Sequence, residues 1–321
     1  MKIAVIGGGR NDEHPVSLAS AAGIAHTVRQ LGWETVALTI DEDGVWRDRS
    51  GAVLSSSRAV EQLMRCDVAF PALHGVHGED GAVAGLLELC GITYVGSPVR
   101  AGAIGMDKWL TKLVATAIGI RTADGILVPP GATTPTLRIP LPVVVKPATG
   151  GSSNGVSVVM DPSELHGSIA DARRSGATVL VEEYVRGREV DIAVFRDATG
   201  QLRLGSTLEI GVRAGGVFGR EAKYDGTARF TLPAEISPSD DEAIRAAASA
   251  LYNAMECSGV ARFDFFVTDA GPVLNEVNTS PGMTEQSQVP RMFAAVGVGY
   301  PQLIAELVEA ARVTEPLGAT A

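Results

Sequence analysis

Short apolar runs alternate with longer amphipathic stretches through the first hundred residues of the chain. The runs KIAVI, ETVALTI and CDVAFPAL are typical of buried strands, and VWRD and TYVGS are typical of two shorter ones. Helical patterns occupy the segment from Asn11 to Gly32 and the run GAVAGLLELCG. This alternation predicts an α/β domain over residues 1–103, in which helices cover a parallel sheet.

Two further domains are predicted after this one. Segment 104–184 has helical patterns in MDKWLTKLVATAIG and SELHGSIADARRSG, and strand patterns in VVVKP, GVSVV and TVLVEEYV. Segment 185–321 has longer strand patterns in REVDIAVFRD, LRLGSTLEI, VARFDFFVTD and GPVLNEVN. Its two helical runs are DDEAIRAAASALYNAME and YPQLIAELVEAARV. Both segments therefore read as α+β units.

Composition narrows the possible partners. The 321 residues are 45% hydrophobic, and their net charge of −10 argues against a general nucleic-acid binder. No apolar run reaches the length of a membrane span, and the N-terminal run is too short for a signal peptide. Cys66, Cys90 and Cys257 are scattered, which favours a reducing, cytoplasmic setting.

The strongest chemical signal lies in two strands that carry Arg262, Asp264, Glu276 and Asn278. Every second residue of a strand points to the same face, so Glu276 and Asn278 project together, as do Arg262 and Asp264. Neighbouring strands would collect a hard, oxygen-rich ligand set for Mg²⁺. The alternative is a solvated sheet face on which Arg262 pairs with Asp264, although the flanking residues are apolar.

A second signal is the sequence KPATGGSSNG, which begins at Lys146 and follows an apolar strand. Glycines let backbone N–H groups approach phosphate oxygens, and the lysine would add a positive charge. The lysine precedes the glycines, so this is not the GxxxxGK[ST] phosphate loop. Read alone, the motif could also be a tight hairpin turn.

Two weaker signals follow. The strand end EEYV, from Glu182 to Val185, can present backbone groups to an adenine edge, and Glu189 can hold ribose hydroxyls. An ordinary strand and turn would explain these residues equally well. The glycine-rich run RAGGVFGREAKYDG reads as a loop that closes over a reactive intermediate, or as a plain surface loop.

The glycine triplet after the first strand resembles a dinucleotide fingerprint. Asp12 stands where the third glycine of G-x-G-x-x-G is required, so an NAD site is rejected. Glu13 is a candidate for binding an ammonium group, or else a charge at a helix N-terminus. His74 is a candidate polar group of the site, whereas metal ligation by His74 and His77 is not expected.

Seven segments, in this order, resemble the signatures of ATP-grasp enzymes and, among these, of D-alanine–D-alanine ligases. They are EHPVSLAS, LHGVHGEDG, YVGSPVRAGAIGMDK, KPATGGSSNG, EAKY, ARFD and NEVNTSPGMT. The resemblance extends from Lys2 to Arg312 and implies an ATP-grasp fold, in which an N-terminal α/β domain and two α+β subdomains enclose ATP. It also implies an ATP- and Mg²⁺-dependent ligase that activates a D-amino acid as an acyl phosphate. Two Mg²⁺ ions, with Mn²⁺ as a substitute, and a homodimer are further implications.

The resemblance assigns roles position by position. The residues for ATP are Lys108, Lys146, Ser152, Ser153, Glu182, Val185, Glu189 and Lys223. The Mg²⁺ ligands are Asp264, Glu276 and Asn278. Arg262 and the Gly282 N–H would stabilise the oxyanion, and Glu13, Ser152 and Tyr224 would form a trio that holds the closing loop. The substrate-binding residues are Glu13, His74, Lys223, Ser287 and Gln288.

Several positions depart from the family pattern. Val217 to Arg220 replace an aromatic-rich stretch before EAKY, and Gln288 replaces a leucine. Asn11 stands where serine is usual, and Gly150 where an acidic residue is frequent. These changes surround the substrate pocket, so the sequence does not determine which amine accepts the activated acyl group. Tyr224 favours dipeptide over ester formation. The alternatives are a divergent D-amino-acid ligase of antibiotic biosynthesis, such as a D-cycloserine-type cyclising ligase, and a regulatory module without turnover.

Overall fold

The computed structural model describes residues 1–211 and 229–313. Its first part contains β1 Lys2–Gly8, α1 His14–Gln30, β2 Glu34–Ile40, β3 Trp46–Asp48, β4 Val53–Leu54, α2 Ser56–Leu63, β5 Val68–Pro71 and α3 Ala82–Leu89. Strands of this part form one sheet in the order β4-β3-β2-β1-β5. The fully buried centre of β1 forms its core, which agrees with the apolar run KIAVI.

The sheet is parallel at its centre, as the sequence predicts. Strand β1 runs parallel to both β2 and β5. Strands β3 and β4 add antiparallel pairs at the edge, because their connections are too short for a helical crossover. The predicted strand TYVGS is wrong as an extended strand, since only Tyr94 bridges to Ala69.

The second part contains α4 Val99–Met106, α5 Lys108–Ala117, β6 Gly125–Val128, β7 Val143–Pro147, β8 Ser157–Val159, α6 Leu165–Ser175 and β9 Val179–Glu183. Its four strands form an antiparallel sheet in the order β6-β9-β7-β8. Alternate valines of β7 and β9 pack against Ile169 of α6, which explains the β-branched run VVVKP.

The third part contains β10 Arg188–Arg196, β11 Leu202–Leu204, β12 Leu208–Gly211, β13 Arg229–Thr231, α7 Pro238–Ala254, β14 Val260–Thr268, β15 Gly271–Asn278, α8 Gln288–Ala294 and α9 Tyr300–Val313. Its main sheet has the order β13-β12-β10-β14-β15. The predicted single strand LRLGSTLEI is divided into β11 and β12. Between them Gly205 passes so close to Met292 that an added Cβ would lie 2.8 Å from the Met292 Cβ.

Two cores connect the three parts around a central cavity. Ala101 of α4 and Ala115 of α5 share a core with Phe263 of β14. These helices therefore pack on the main sheet of the third part, which is called the large sheet below. Helix α9 shares another core with α1 and β1. The division of the chain at residues 103 and 184 stays a prediction. Over residues 1–211 and 229–313, no helix combines the length and hydropathy that a bilayer crossing requires.

Candidate active site

A row of carboxylates crosses the middle of the large sheet. Asp264 of β14 lies directly opposite Glu276 of β15 on one side and Asp191 of β10 on the other. The same register places Arg262 opposite Asn278. Asp264 and Asp191 are only 2% and 1% exposed. Buried carboxylates need charged or hydrogen-bonding partners, and the neighbouring side chains supply them.

The Arg262 guanidinium forks onto Asp264. Its Nε lies 2.7 Å from Oδ1 and its Nη2 lies 2.8 Å from Oδ2, while Nε is also 3.5 Å from Asp191 Oδ2. Although burial opposes it, the Asp264 carboxylate raises the pKa of Arg262 above its already high value. The Arg262–Asp264 pair expected for a plain sheet face is therefore present. The face is buried, however, and not solvated.

The donor set fits a hard divalent cation that arrives with other oxygen ligands. Asp264 accepts three hydrogen bonds, two from Arg262 and one of 3.0 Å from Asn278 Nδ2. A carboxylate has about four acceptor positions, which leaves room for a metal. Within the described chain, no three His, Cys, Asp or Glu side chains form a closed metal site. Phosphate oxygens or water would have to complete the coordination of Mg²⁺.

These residues line a cavity of about 1280 Å³. The acidic residues on the described part of its wall are Asp12, Glu13, Glu79, Glu189, Asp191, Asp264 and Glu276. The basic residues there are Lys108, Arg262 and Arg291. Carboxylates gathered on one wall favour the binding of cations.

Lys108 contacts both the carboxylate row and the glycine-serine loop that follows β7. Asp107 caps helix α5 by accepting from the N–H groups of Trp109 and Leu110, which fixes Lys108 at the first turn. The Lys108 ammonium lies 3.4 Å from Glu276 Oε2 and donates to the Gly150 carbonyl at 2.6 Å. It therefore lies between the glycine-serine loop and the carboxylates.

The glycine-serine loop after β7 has an unusual backbone. Gly150, Ser152 and Ser153 have φ angles of +103°, +53° and +57°. Left-handed serines are costly and often occur where function requires a special loop shape. The Ser152 hydroxyl donates to the Glu13 carboxylate, and Asn154 Nδ2 donates to Asp12 Oδ2 at 3.1 Å. Two of the three predicted trio members, Glu13 and Ser152, are thus in contact. The third, Tyr224, lies outside the described residues.

Lys146 and Glu182 form a buried pair behind the cavity. Lys146 Nζ lies 2.5 Å from Glu182 Oε1 and donates to Asn275 Oδ1 at 3.3 Å. Lys112 Nζ lies 2.8 Å from the other oxygen, Glu182 Oε2. Sequence reasoning missed Lys112, although its position one helical turn after Lys108 places both on one face of α5. Among the predicted ATP residues that the structure describes, Lys146, Ser153, Glu182 and Val185 do not line the cavity.

His74 is held as a neutral group. Its Nδ1 donates to the Ser280 carbonyl at 2.7 Å, and its Nε2 accepts from the Ser20 hydroxyl at 2.9 Å. Burial lowers the pKa of His74, which agrees with this neutral form. Glu79 lies 4.0 Å from His74 Nδ1, and burial raises the pKa of the Glu79 carboxyl well above its ordinary value. Glu79 lies within the LHGVHGEDG motif, but the sequence did not predict it as a site residue.

The segment before helix α8 and the start of that helix carry the predicted acceptor residues. Gly282, Ser287 and Gln288 all line the cavity. The Thr284 N–H donates to the Ser287 hydroxyl at 3.1 Å, which shapes the turn before α8. Gln288 Nε2 donates to Asp191 Oδ2 at 3.0 Å. Asp191 was also missed, although it shares a strand face with the predicted Glu189. The predicted Lys223 lies outside the described residues.

The fold and this site define an ATP-grasp enzyme that joins a carboxylate to an amine. The family described as D-ala D-ala ligase N-terminus matches residues 2–97, and that described as D-ala D-ala ligase C-terminus matches residues 133–309. The D-alanine–D-alanine ligase of Mycobacterium sp. (strain KMS) is 40% identical, over 97% of this chain and 96% of that protein. The chain belongs to the D-alanine–D-alanine ligase family.

Solved structures give the same result. The D-alanine–D-alanine ligase from Bacillus anthracis complexed with ATP has a TM-score of 0.81 at 29% identity, over 97% of both chains. The VanG D-Ala:D-Ser ligase from Enterococcus faecalis has a TM-score of 0.82 at 30% identity, over 97% of this chain and 99% of that one. The predicted family, fold class and ligase activity are thereby confirmed.

Proposed function

We propose that the protein joins two D-alanine molecules into a dipeptide while ATP is converted to ADP and phosphate. The observation that carries the proposal is the opposition of Asp264 and Glu276, beside Arg262, in a cavity that Glu13 also lines. One cavity thus holds groups suited to a metal-bound phosphate and a group suited to an ammonium. A ligase that activates an amino acid with ATP needs both.

The activation half of the site lies between Lys108 and the carboxylate row. Asp264, Glu276 and Asn278 would hold two Mg²⁺ ions, for which Mn²⁺ can substitute, and the metal would neutralise charge on the phosphates. Lys108 and Lys146 would bind phosphate oxygens directly through their ammonium groups. The φ values of Ser152 and Ser153 favour a loop whose N–H groups turn toward an anion.

The first D-alanine would be bound by its ammonium group at Glu13. Ser152 holds the Glu13 carboxylate in place, and His74 adds a neutral polar group on the same side of the cavity. A carboxylate fixed by a hydrogen bond binds an ammonium with little loss of side-chain entropy. The substrate carboxylate would then face the nucleotide and attack its terminal phosphate, so that the bond to ADP breaks, ADP leaves and an acyl phosphate forms.

The second step would use the residues from Gly282 to Gln288. The amine of the second D-alanine would attack the acyl carbon, phosphate would leave and the amine would lose a proton. Arg262 with the Gly282 N–H would stabilise the developing oxyanion. One such donor lowers the activation barrier by about 3 to 4 kcal/mol. Lys223 and Ser287 would bind the second carboxylate, and Tyr224 would hold the closing loop that excludes water. Gln288 places a polar amide at this acceptor position.

D-alanine–D-alanine ligation is favoured over the cyclising alternative, because the relative from Mycobacterium is aligned almost end to end and carries that function in its name. This activity supplies a building block for peptidoglycan. A cytoplasmic location and a homodimer belong to the same proposal.

A substrate screen tests the proposal. Purified protein with ATP and Mg²⁺ should release ADP when D-alanine is added, and the product mass should be that of the dipeptide. L-alanine is the matched negative control. Release of ADP with another D-amino acid and none with D-alanine would replace this function by that of a divergent ligase.

A further inference from the structure

Lysine is scarce in this chain, and two of its copies contact the same buried carboxylate. Five of the 27 basic residues are lysines, namely Lys2, Lys108, Lys112, Lys146 and Lys223. Arginine thus serves nearly everywhere that a surface cation is needed. Lys112 is only 5% exposed, so it does not serve solubility. A compact ammonium at a buried position fits where the wider guanidinium would not.

Glu182 is held between two lysines from different elements. Lys112 reaches its Oε2 from helix α5 at 2.8 Å, and Lys146 reaches its Oε1 from strand β7 at 2.5 Å. Lys112 also donates to the Ala123 carbonyl at 2.9 Å, which fixes its ammonium group. All three side chains are 7% exposed or less. Water therefore screens their charges only weakly.

This cluster has one carboxylate for two ammonium groups. Although burial opposes it, the two lysines lower the pKa of Glu182, so the carboxyl is ionised near neutrality. One lysine suffices to neutralise it, which leaves one surplus positive charge. An uncompensated buried charge is costly and calls for an anion nearby. Lys146 also donates to Asn275, the residue next to Glu276 in β15.

We propose that Lys112 is a positioning residue that neutralises Glu182 and so leaves the Lys146 ammonium available to the nucleotide phosphates. The proposal rests on the proposed use of ATP. Without Lys112, the Glu182 carboxylate would draw the Lys146 charge to itself, and the phosphates would lose a cation. Lys112 then acts on nucleotide affinity through Lys146.

Three variants test this role by titration with a non-hydrolysable ATP analogue and Mg²⁺. Lys112→Met should weaken binding of the analogue by about tenfold or more, since hydrogen bonds to charged groups are the strong ones. Adding Glu182→Gln to it should restore the affinity to within about threefold, because the negative charge that captures Lys146 is removed as well. Lys2→Met removes a lysine from an ion pair with Glu34, outside the cavity wall, and should bind like the wild type.

Adenosine binding distinguishes a loss of positive charge near the phosphates from a change in the shape of the nucleotide site. Lys112→Met should leave adenosine affinity unchanged, because adenosine has no phosphate. Wild-type affinity for the analogue in Lys112→Met would overturn the proposal, and so would an equal loss in the single and double variants. If Lys112→Met does not fold, the double variant decides alone, since restored affinity supports the role and lost affinity overturns it. Failure of the wild type to bind the analogue would instead overturn the proposed function.

Discussion

Asp264 and Glu276 face each other across two antiparallel strands, so that two carboxylates meet at one point of the large sheet. This opposition has a consequence for metal dependence. Glu276 is the more accessible of the two, with a side chain that is 19% exposed and an ammonium 3.4 Å away. Asp264 is already engaged by Arg262. Glu276 is therefore the better ligand to test.

We expect Glu276→Gln to reduce turnover by at least about 100-fold, which corresponds to about 3 kcal/mol in the activation barrier. The amide keeps the shape of the side chain but lacks its charge, so the metal would bind weakly. Steady-state ADP release at increasing Mg²⁺ concentration measures the effect, and circular dichroism checks the fold. The exposed Glu61→Gln serves as control. Unchanged turnover in Glu276→Gln would remove this residue from the metal site.

Arg262→Lys tests the proposed oxyanion donor. Lysine keeps the positive charge beside Asp264 but lacks the planar fork that spans both carboxylate oxygens. Turnover should fall by about 100- to 1000-fold, while the KM for ATP stays within about threefold. Peptide product per ADP released should also fall, because the acyl phosphate would survive long enough to be hydrolysed. A lower affinity for ATP with an unchanged ratio of peptide formed to ADP released would assign Arg262 to nucleotide binding instead.

Glu13 and its neighbour Asp12 form a matched pair of carboxylates. Glu13 accepts from Ser152, whereas Asp12 accepts from Asn154 at 3.1 Å. Glu13→Gln should raise the KM for the first D-alanine by about tenfold or more, since an ammonium loses its charged partner. Asp12→Asn should change that KM by less than about threefold. Initial rates at varied D-alanine concentration give the KM of each variant. An equal change of KM in Glu13→Gln and Asp12→Asn would contradict the assignment of Glu13.

The contact between Gln288 and Asp191 bears on the acceptor. Gln288→Leu removes the 3.0 Å hydrogen bond to a buried carboxylate, at a cost of about 1 to 3 kcal/mol in stability. An apolar side chain at this wall should also lower the use of D-serine relative to D-alanine as the acceptor. Competition between the two amino acids, read by product mass, measures the ratio. An unchanged ratio would show that Gln288 does not contact the acceptor side chain.

Glu182 links stability to pH. Burial opposes ionisation, yet the two lysines hold the pKa of Glu182 below its ordinary value. A lowered carboxyl pKa gives stabilisation that is present above the ordinary pKa and lost as the pH falls through the folded-state pKa. Glu182→Gln should therefore lower the free energy of unfolding by about 3 kcal/mol at pH 7.

That difference should shrink as the pH falls below about 4.5, because the carboxyl of the unfolded chain takes up a proton there while folded Glu182, with its lower pKa, is still ionised. Urea denaturation of the wild type and of Glu182→Gln from pH 7 to about pH 3 gives the comparison. Glu209→Gln, which removes a partly exposed pair with Arg188, is the control with a smaller effect at pH 7. A difference that stays constant with pH would contradict the ionised state of Glu182.

Much of the fold follows from local patterns. The sequence correctly predicts strands β1, β2, β10, β14 and β15 and helices α1, α6, α7 and α9. Each of them shows either a continuous apolar run or apolar residues at a regular spacing within one window of the sequence. Elements that local patterns did not predict are short: β4, α2, α4, β6, β13 and α8. Such segments are stabilised mainly by packing against neighbours, which a single sequence window does not contain.

For the site, the sequence by itself determined which residue types occur and which of them share a strand face. The two-residue period alone places Glu276 with Asn278 and Arg262 with Asp264. Only the tertiary structure decided that Asp264 lies opposite Glu276, that Asp191 completes the row, and that Lys112 approaches Glu182. Register and helix docking depend on contacts between residues far apart in the chain, and these form only when the burial of whole faces selects one arrangement.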